Sequence, residues 1–220
     1  YQLPKIGGEL RASLGLHGHK RVSLADVTGR DMGRINLDLS WRDEWTLAGG
    51  MRFGLTGAVG FDSYGISQDS TAPRRDTQIT PAVAATLRYP LQSKGRDGAS
   101  YVIEPIAQIG WAGGSPSTLP NDESVTSEFD ESNLLSLSRF PVQDRRETGT
   151  IAALGLRWQR LHPESWSAGL TVGQVFRDTA DPSFAAISGL QGLTSDTLVA
   201  MNYSAAWGGT ITARGLFDAQ

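Results

Sequence analysis

The chain has 220 residues, with 20 Lys and Arg against 23 Asp and Glu, a formal net charge of −3 and no Cys. So even a balance leaves no electrostatic footprint for nucleic acid, and the lack of thiols excludes disulfide staples and thiolate metal sites without fixing the compartment. No apolar run approaches the ~20 residues of a membrane helix and mean hydropathy is −0.25, yet a transmembrane β-barrel would pass both tests because its lumen-facing residues dilute the hydropathy.

The chain opens Tyr1-Gln2-Leu3-Pro4, with no Met, charged n-region or apolar h-region, so the sequence reads as a fragment whose signal peptide lies upstream or has been removed. From there period-two alternation recurs to the end. Leu10, Ala12, Leu14 and Leu16 oppose Glu9, Arg11 and Ser13, and a weaker run spans Lys20 to Val27. Ile35, Leu37, Leu39 and Trp41 oppose Arg34, Asn36, Asp38 and Arg42. The following run sets Trp45, Leu47, Met51, Phe53, Leu55 and Val59 against Thr46, Arg52 and Thr56, with Asp43-Glu44 as the hairpin turn. Ile79, Val83, Leu87 and Tyr89 face away from Gln78, Thr80 and Arg88, as Tyr101, Ile103, Ile109 and Trp111 do from Glu104 and Gln108. Beyond a long insertion come Ala152, Leu154, Leu156 and Trp158 opposite Arg157 and Gln159, then Trp166, Leu170, Val172 and Phe176 opposite Ser167, Thr171 and Arg177. The last two runs carry Val199, Met201, Tyr203 and Trp207, then Ile211, Ala213 and Phe217 opposite Arg214. These spacings predict an all-β, antiparallel protein of about ten strands.

One-sided alternation suits a soluble sandwich as well as a membrane barrel. The tryptophans favour the barrel: all six share the apolar parity and fall near strand ends, where a lipid-facing wall places its aromatic girdles. Loop lengths agree, because short connections (His17 to His19, Asp43-Glu44, Leu161 to Glu164, Gly208-Gly209) alternate with long ones (Asp62 to Asp76, Ala112 to Thr148, Asp178 to Thr194). Pro90 to Ser100 is longer than its class.

The longest connection mixes Asp122, Glu123, Glu128, Asp130 and Glu131 with Leu134, Leu135, Leu137 and Phe140. Its apolar residues need something to bury against, which favours a loop folded into the barrel lumen over a solvated one. Within it, Phe129-Asp130, Asn133-Leu134-Leu135, Arg139-Phe140-Pro141 and Asp144-Arg145, followed by Gly155-Leu156-Arg157, resemble the signature loop of the lipopolysaccharide-assembly family LptD. Leu3-Pro4, Ile103 to Gln108, Pro120 to Ser124, Ser188-Gly189-Leu190 and Ser195-Asp196 extend the resemblance over nearly the whole chain. Val142 and Gln143 depart from it, standing where the family usually has Gly and an aromatic.

The resemblance implies that residues 1–220 are part of one transmembrane β-barrel domain with loop 112–148 in the lumen. It also implies an outer-membrane translocon component that inserts lipopolysaccharide into the outer leaflet, with no chemistry and no cofactor of its own. Implied partners are lipopolysaccharide, outer-membrane lipid, an LptE-like lipoprotein plug, and the periplasmic bridge protein LptA, reached through a jellyroll outside these residues. The strands of the lateral seam are likewise expected elsewhere. The alternative is a passive or gated, porin-like outer-membrane channel.

Candidate site residues follow from these readings. Asp130, Asn133, Arg139, Asp144 and Arg145 are expected to structure the loop or plug, the charged ones pairing with wall residues such as Arg157 and Glu104. Among inward arginines, Arg52, Arg88, Arg157 and Arg177 either touch phosphorylated sugar in transit or simply belong to a polar wall. The acidic cluster matches no cation loop and reads as a solvated patch. His17 and His19 share a strand face but lack a third ligand, and with His162 they fall in the short turns of one end, so no metal site is expected. Nucleophile elbow and phosphate loop are both absent, since no helix follows Gly54, Gly57 and Gly60.

Overall fold

A computed structural model of the chain describes residues 7–115 and 119–218. Leu3 and Pro4, part of the resemblance above, lie outside them. The strands are β1 (Glu9–His19), β2 (Asp31–Thr46), β3 (Arg52–Ser67), β4 (Arg75–Arg88), β5 (Leu91–Lys94), β6 (Ser100–Ala112), β7 (Gly149–Leu161), β8 (Ser167–Arg177), β9 (Thr197–Ser204) and β10 (Thr210–Phe217). They form one antiparallel sheet in the order β1-β2-β3-β4-β6-β7-β8-β9-β10, with β5 also on β6. Each strand after β5 pairs with its predecessor in sequence, the connectivity of an up-and-down meander. Among the described residues the sheet does not close on itself: β1 and β10 are its two edges.

β4 and β5 are one strand with a break. Arg88 faces Ile106 and Leu91 faces Ile103, so the register on β6 runs unshifted across Tyr89-Pro90. Pro90 has no N–H to offer the ladder, while the Tyr89 N–H still reaches the Pro105 carbonyl at 3.1 Å. The turn then tightens at Gly95 to Ala99, where the Gly95 N–H bonds the Ala99 carbonyl, which accounts for the apparent excess length of the Pro90 to Ser100 connection.

Two expected elements move. Lys20 to Val27 is not a strand: the chain turns there, the Gly29 N–H bonding the Ala25 carbonyl at 2.7 Å, with Val22 and Leu24 pointing into solvent. Alternation over so short a stretch found no partner ladder to stabilise it. The β2–β3 hairpin does not turn at Asp43-Glu44 either, because both pair across the ladder with Leu55 and Gly54 and the reversal comes at Ala48–Gly50.

Because β1 runs on to His19, the connections sort cleanly. Residues 47–51, 95–99, 162–166 and 205–209 turn at one end; residues 20–30, 68–74, 113–148 and 178–196 cross at the other. His17 and His19 therefore stand at the long-loop end, and only His162 sits in a short turn.

One face of the sheet carries exposed apolar side chains from edge to edge, among them Leu37 (48% exposed), Ile109 (60%), Leu154 (53%) and Met201 (46%). Five of the tryptophans share this face and Trp207 sits in the 205–209 turn; all but Trp111 lie toward the short-turn end, where Trp41 packs on Trp45, Trp45 on Phe53 and Trp166 on Tyr203. On the opposite face, near the long-loop end, the wall turns from polar to apolar. Ile151, Ala153, Val175 and Leu198 there form a dry core with Phe129, Leu134 and Phe140 of loop 113–148 and Phe184 and Leu190 of loop 178–196. A smaller cluster joins Met32, Tyr64 and Ile66 to Leu119.

Candidate functional site

The site is the underside of loop 113–148 and the wall beneath it. Asp130 accepts hydrogen bonds from the Ser132 and Asn133 N–H groups at 2.8 and 3.2 Å, and Asn133 returns one to the Glu128 carbonyl at 2.7 Å. This closed turn presents Leu134 to the wall. Leu134 is 2% exposed and seats over Gly155 and Gly173, which face each other across β7 and β8. A Cβ on Gly173 would stand 2.5 Å from Leu134 Cδ2, and one on Gly155 3.0 Å. Hydrogen in place of a side chain makes the socket.

Behind it Phe140 stacks on Phe184 with centroids 4.1 Å apart, and the charged residues are arranged around that stack. Glu147 is the hub: it accepts from the Arg139 N–H at 2.7 Å, pairs with the Arg139 guanidinium at 3.2 Å, and receives Arg177 Nε from the wall at 3.1 Å. All three side chains are buried. Desolvation and the neighbouring Arg177 charge hold the Arg139 pKa below its ordinary value in spite of Glu147. Arg139 also donates to the Leu134 carbonyl at 2.8 Å, which ties the ionic hub to the apolar anchor.

Arg146 makes the second wall contact. It forks onto Asp62 at 2.6 and 2.8 Å and reaches Asp38 at 2.6 Å. Burial works against its charge, but the hydrogen bonds to the two carboxylates prevail and raise its pKa. Gly60 leaves room for it, since a Cβ there would lie 2.5 Å from the guanidinium carbon.

Among the described residues Asp144 forms no ion pair. It accepts the Glu123 and Ser124 N–H groups at 3.1 and 3.0 Å together with the Ser124 hydroxyl, fixing the turn at 121–124. Arg145 bridges two loops, donating to Ser183 Oγ at 3.0 Å and the Leu119 carbonyl at 2.7 Å. The Gln143 carbonyl accepts from Asn36 and Tyr64, both at 3.3 Å. Val142 and Gln143 keep ordinary backbone angles, positive φ among the described non-glycine residues being confined to Val27 and Gln68.

The pairing partners differ from those expected. Glu104 and Arg157 pair with each other along the wall at 3.5 Å; Glu123 and Glu131 of the loop take Arg34 at 3.0 Å and Arg214 at 2.8 Å, and the loop's other wall partners include Asp38, Asp62 and Arg177. Arg146 and Glu147, which make these contacts, were not singled out from the sequence; a charge of each sign just before a strand gives no signal of its own. Of the arginines considered for phosphate, Arg52 pairs with Glu44, Arg157 with Glu104 and Arg177 with Glu147. Arg88 instead lines an open cleft of about 920 Å³ at the short-turn end, with Arg42, Glu44, Thr86, Gln108 and Leu135.

A family model, LPS transport system D, matches residues 1–220. The chain belongs to the LptD family. It therefore has a role in LPS transport and outer-membrane biogenesis. No curated protein matches the sequence. The sheet joins a largely apolar face to a polar face whose long-loop end is covered by loop 113–148.

Proposed function

We propose that the sheet is a section of the wall of a transmembrane β-barrel in the outer membrane, with its apolar face toward lipid and loop 113–148 inside the lumen. The chain then serves as a non-enzymatic part of the translocon that inserts lipopolysaccharide into the outer leaflet. The observation that carries this reading is the pairing of opposites. Exposed apolar side chains cover one face from β1 to β10, whereas the other face buries a loop through Leu134, Glu147 and Arg146. An exposed apolar surface of that extent is costly in water and is met by lipid. The short-turn end, open over the 920 Å³ cleft, suits a lipoprotein plug of the LptE kind, and the Arg88 guanidinium there suits a phosphorylated sugar. Contact with the LptA bridge falls to a jellyroll beyond these residues.

The test is complementation. Cells depleted of the parent protein receive the wild type or a variant lacking residues 128–145, and newly made lipopolysaccharide at the surface is measured alongside solute permeation. Delivery lost on deletion supports the reading. Delivery retained with altered solute permeation makes the barrel a channel.

A further inference from the structure

The long-loop end brings together three side chains that the family role leaves without a task. His17 and His19 point the same way from β1, two residues apart, onto the polar face. Glu123, more than a hundred residues later, is delivered beside them by the turn that Asp144 fixes. One ligand atom from each of the three lies within 4.8 Å of the other two, and His17 Nε2 is 2.9 Å from Glu123 Oε1. His19 Nε2 and Glu123 Oε1 are both buried and neither makes a hydrogen bond of proper geometry; Asp122 Oδ2 lies 3.9 Å from the first and His17 Nε2 2.9 Å from the second. Buried polar atoms are nearly always satisfied, and a cation between these donors would satisfy both at once.

We propose that His17, His19 and Glu123 form a site for a first-row transition metal, best matched to Zn²⁺, with a fourth position open to water. Two imidazoles and one carboxylate are a zinc donor set, whereas calcium and magnesium require oxygen ligands. Zinc held at ~2.0–2.1 Å by tetrahedral N and O donors sets them about 3.3 Å apart, within a small side-chain rotation of the arrangement here. Glu123 is already oriented for one-oxygen ligation, because Arg34 binds its other oxygen at 3.0 Å, an outer contact of the kind that steers metal ligands. The neighbouring cations do not forbid the ion: Arg30 is engaged by Asp69 and Asp122, Arg21 by Asp122, and Arg34 by Glu123. Bound metal would stitch β1 to loop 113–148 at the end opposite the cleft.

The experiment uses the full-length protein in detergent, stripped with chelator and titrated with Co²⁺ and then Zn²⁺. One Co²⁺ per chain with the intense visible absorption of a four-coordinate ion, displaced by one Zn²⁺, is the expected result. His19→Ala and the double variant H17Q/H19Q should each weaken binding by at least about 100-fold while leaving the loop protected from exchange. Cobalt bound only with the pale spectrum of an octahedral aqua ion, or bound equally well by the double variant, overturns the site. Lipopolysaccharide delivery does not enter the readout, so the outcome is independent of the translocon reading.

Discussion

Replacing Leu134 with Ala should release the loop from the wall without unfolding the sheet. The side chain is 2% exposed and its branch fills the socket over Gly155 and Gly173. Truncating a fully buried leucine costs about 2–5 kcal/mol, the upper values applying where the surroundings cannot collapse, and a β-ladder on both sides of the socket cannot. Taking about 3 kcal/mol and a tenfold population change per 1.4 kcal/mol, the detached loop becomes roughly 100-fold more populated. Hydrogen exchange in the 130–140 segment of the detergent-solubilised protein should accelerate by that factor, while exchange in β7 and β8 stays as it was. Val125→Ala, at a position 54% exposed in the same loop, should change nothing. Gly173→Ala puts a methyl group 2.5 Å from Leu134 Cδ2 and should loosen the loop from the opposite side. Combined with Leu134→Ala, that methyl instead fills part of the vacated space, so the double variant should be less perturbed than the sum of the singles. Unchanged exchange in Leu134→Ala, or additive behaviour of the pair, would refute the socket.

Glu147→Gln strips the carboxylate from between two buried guanidiniums and should cost about 3–5 kcal/mol of loop attachment, read as faster exchange from Ser138 to Glu147. For Arg146 and Asp62, a double-mutant cycle through Arg146→Met and Asp62→Asn should give a coupling of at least about 1.5 kcal/mol, because the pair is bidentate and Asp62 is buried. Acid should free the β1–β2 connection. The Thr71 hydroxyl and Arg30 hold the Asp69 carboxyl down to about 2, and Arg30 lowers Asp122 against the opposing pull of burial. Both folded values lie below the ordinary carboxylate range, so the stabilisation is complete above about pH 4 and drains away as pH falls toward 2. Exchange in residues 20–30, followed from pH 5 to pH 2 and corrected for intrinsic rates, should rise only over that window, and Asp69→Asn should remove part of the rise.

Period-two alternation by itself determined that this chain is an antiparallel sheet with one apolar face, because side chains on a strand have only two directions to take and burial acts on one of them. It also located the short turns near 162–166 and 205–209, though not those at His17 to His19 or Asp43-Glu44, and marked loop 113–148, whose leucines and phenylalanine had to find cover. What it left open depends on residues far apart in sequence. A weak alternation such as Lys20 to Val27 becomes a strand only if a neighbour supplies the ladder, and here none does. The apolar patch of Ile151, Val175 and Leu198 on the polar face looks like a lapse in pattern until Leu134 and Phe140 are seen resting on it. The glycines at 155 and 173 were equally mute, since an absent side chain has meaning only opposite the one that fills its place. Partner choice among charges was decided by tertiary structure for the same reason: twenty basic residues and twenty-three acidic ones allow many pairings. Only the register of β2, β3 and β8 places Asp38, Asp62 and Arg177 beneath Arg146 and Glu147, and only the fold of the loop carries Glu123 to His17 and His19.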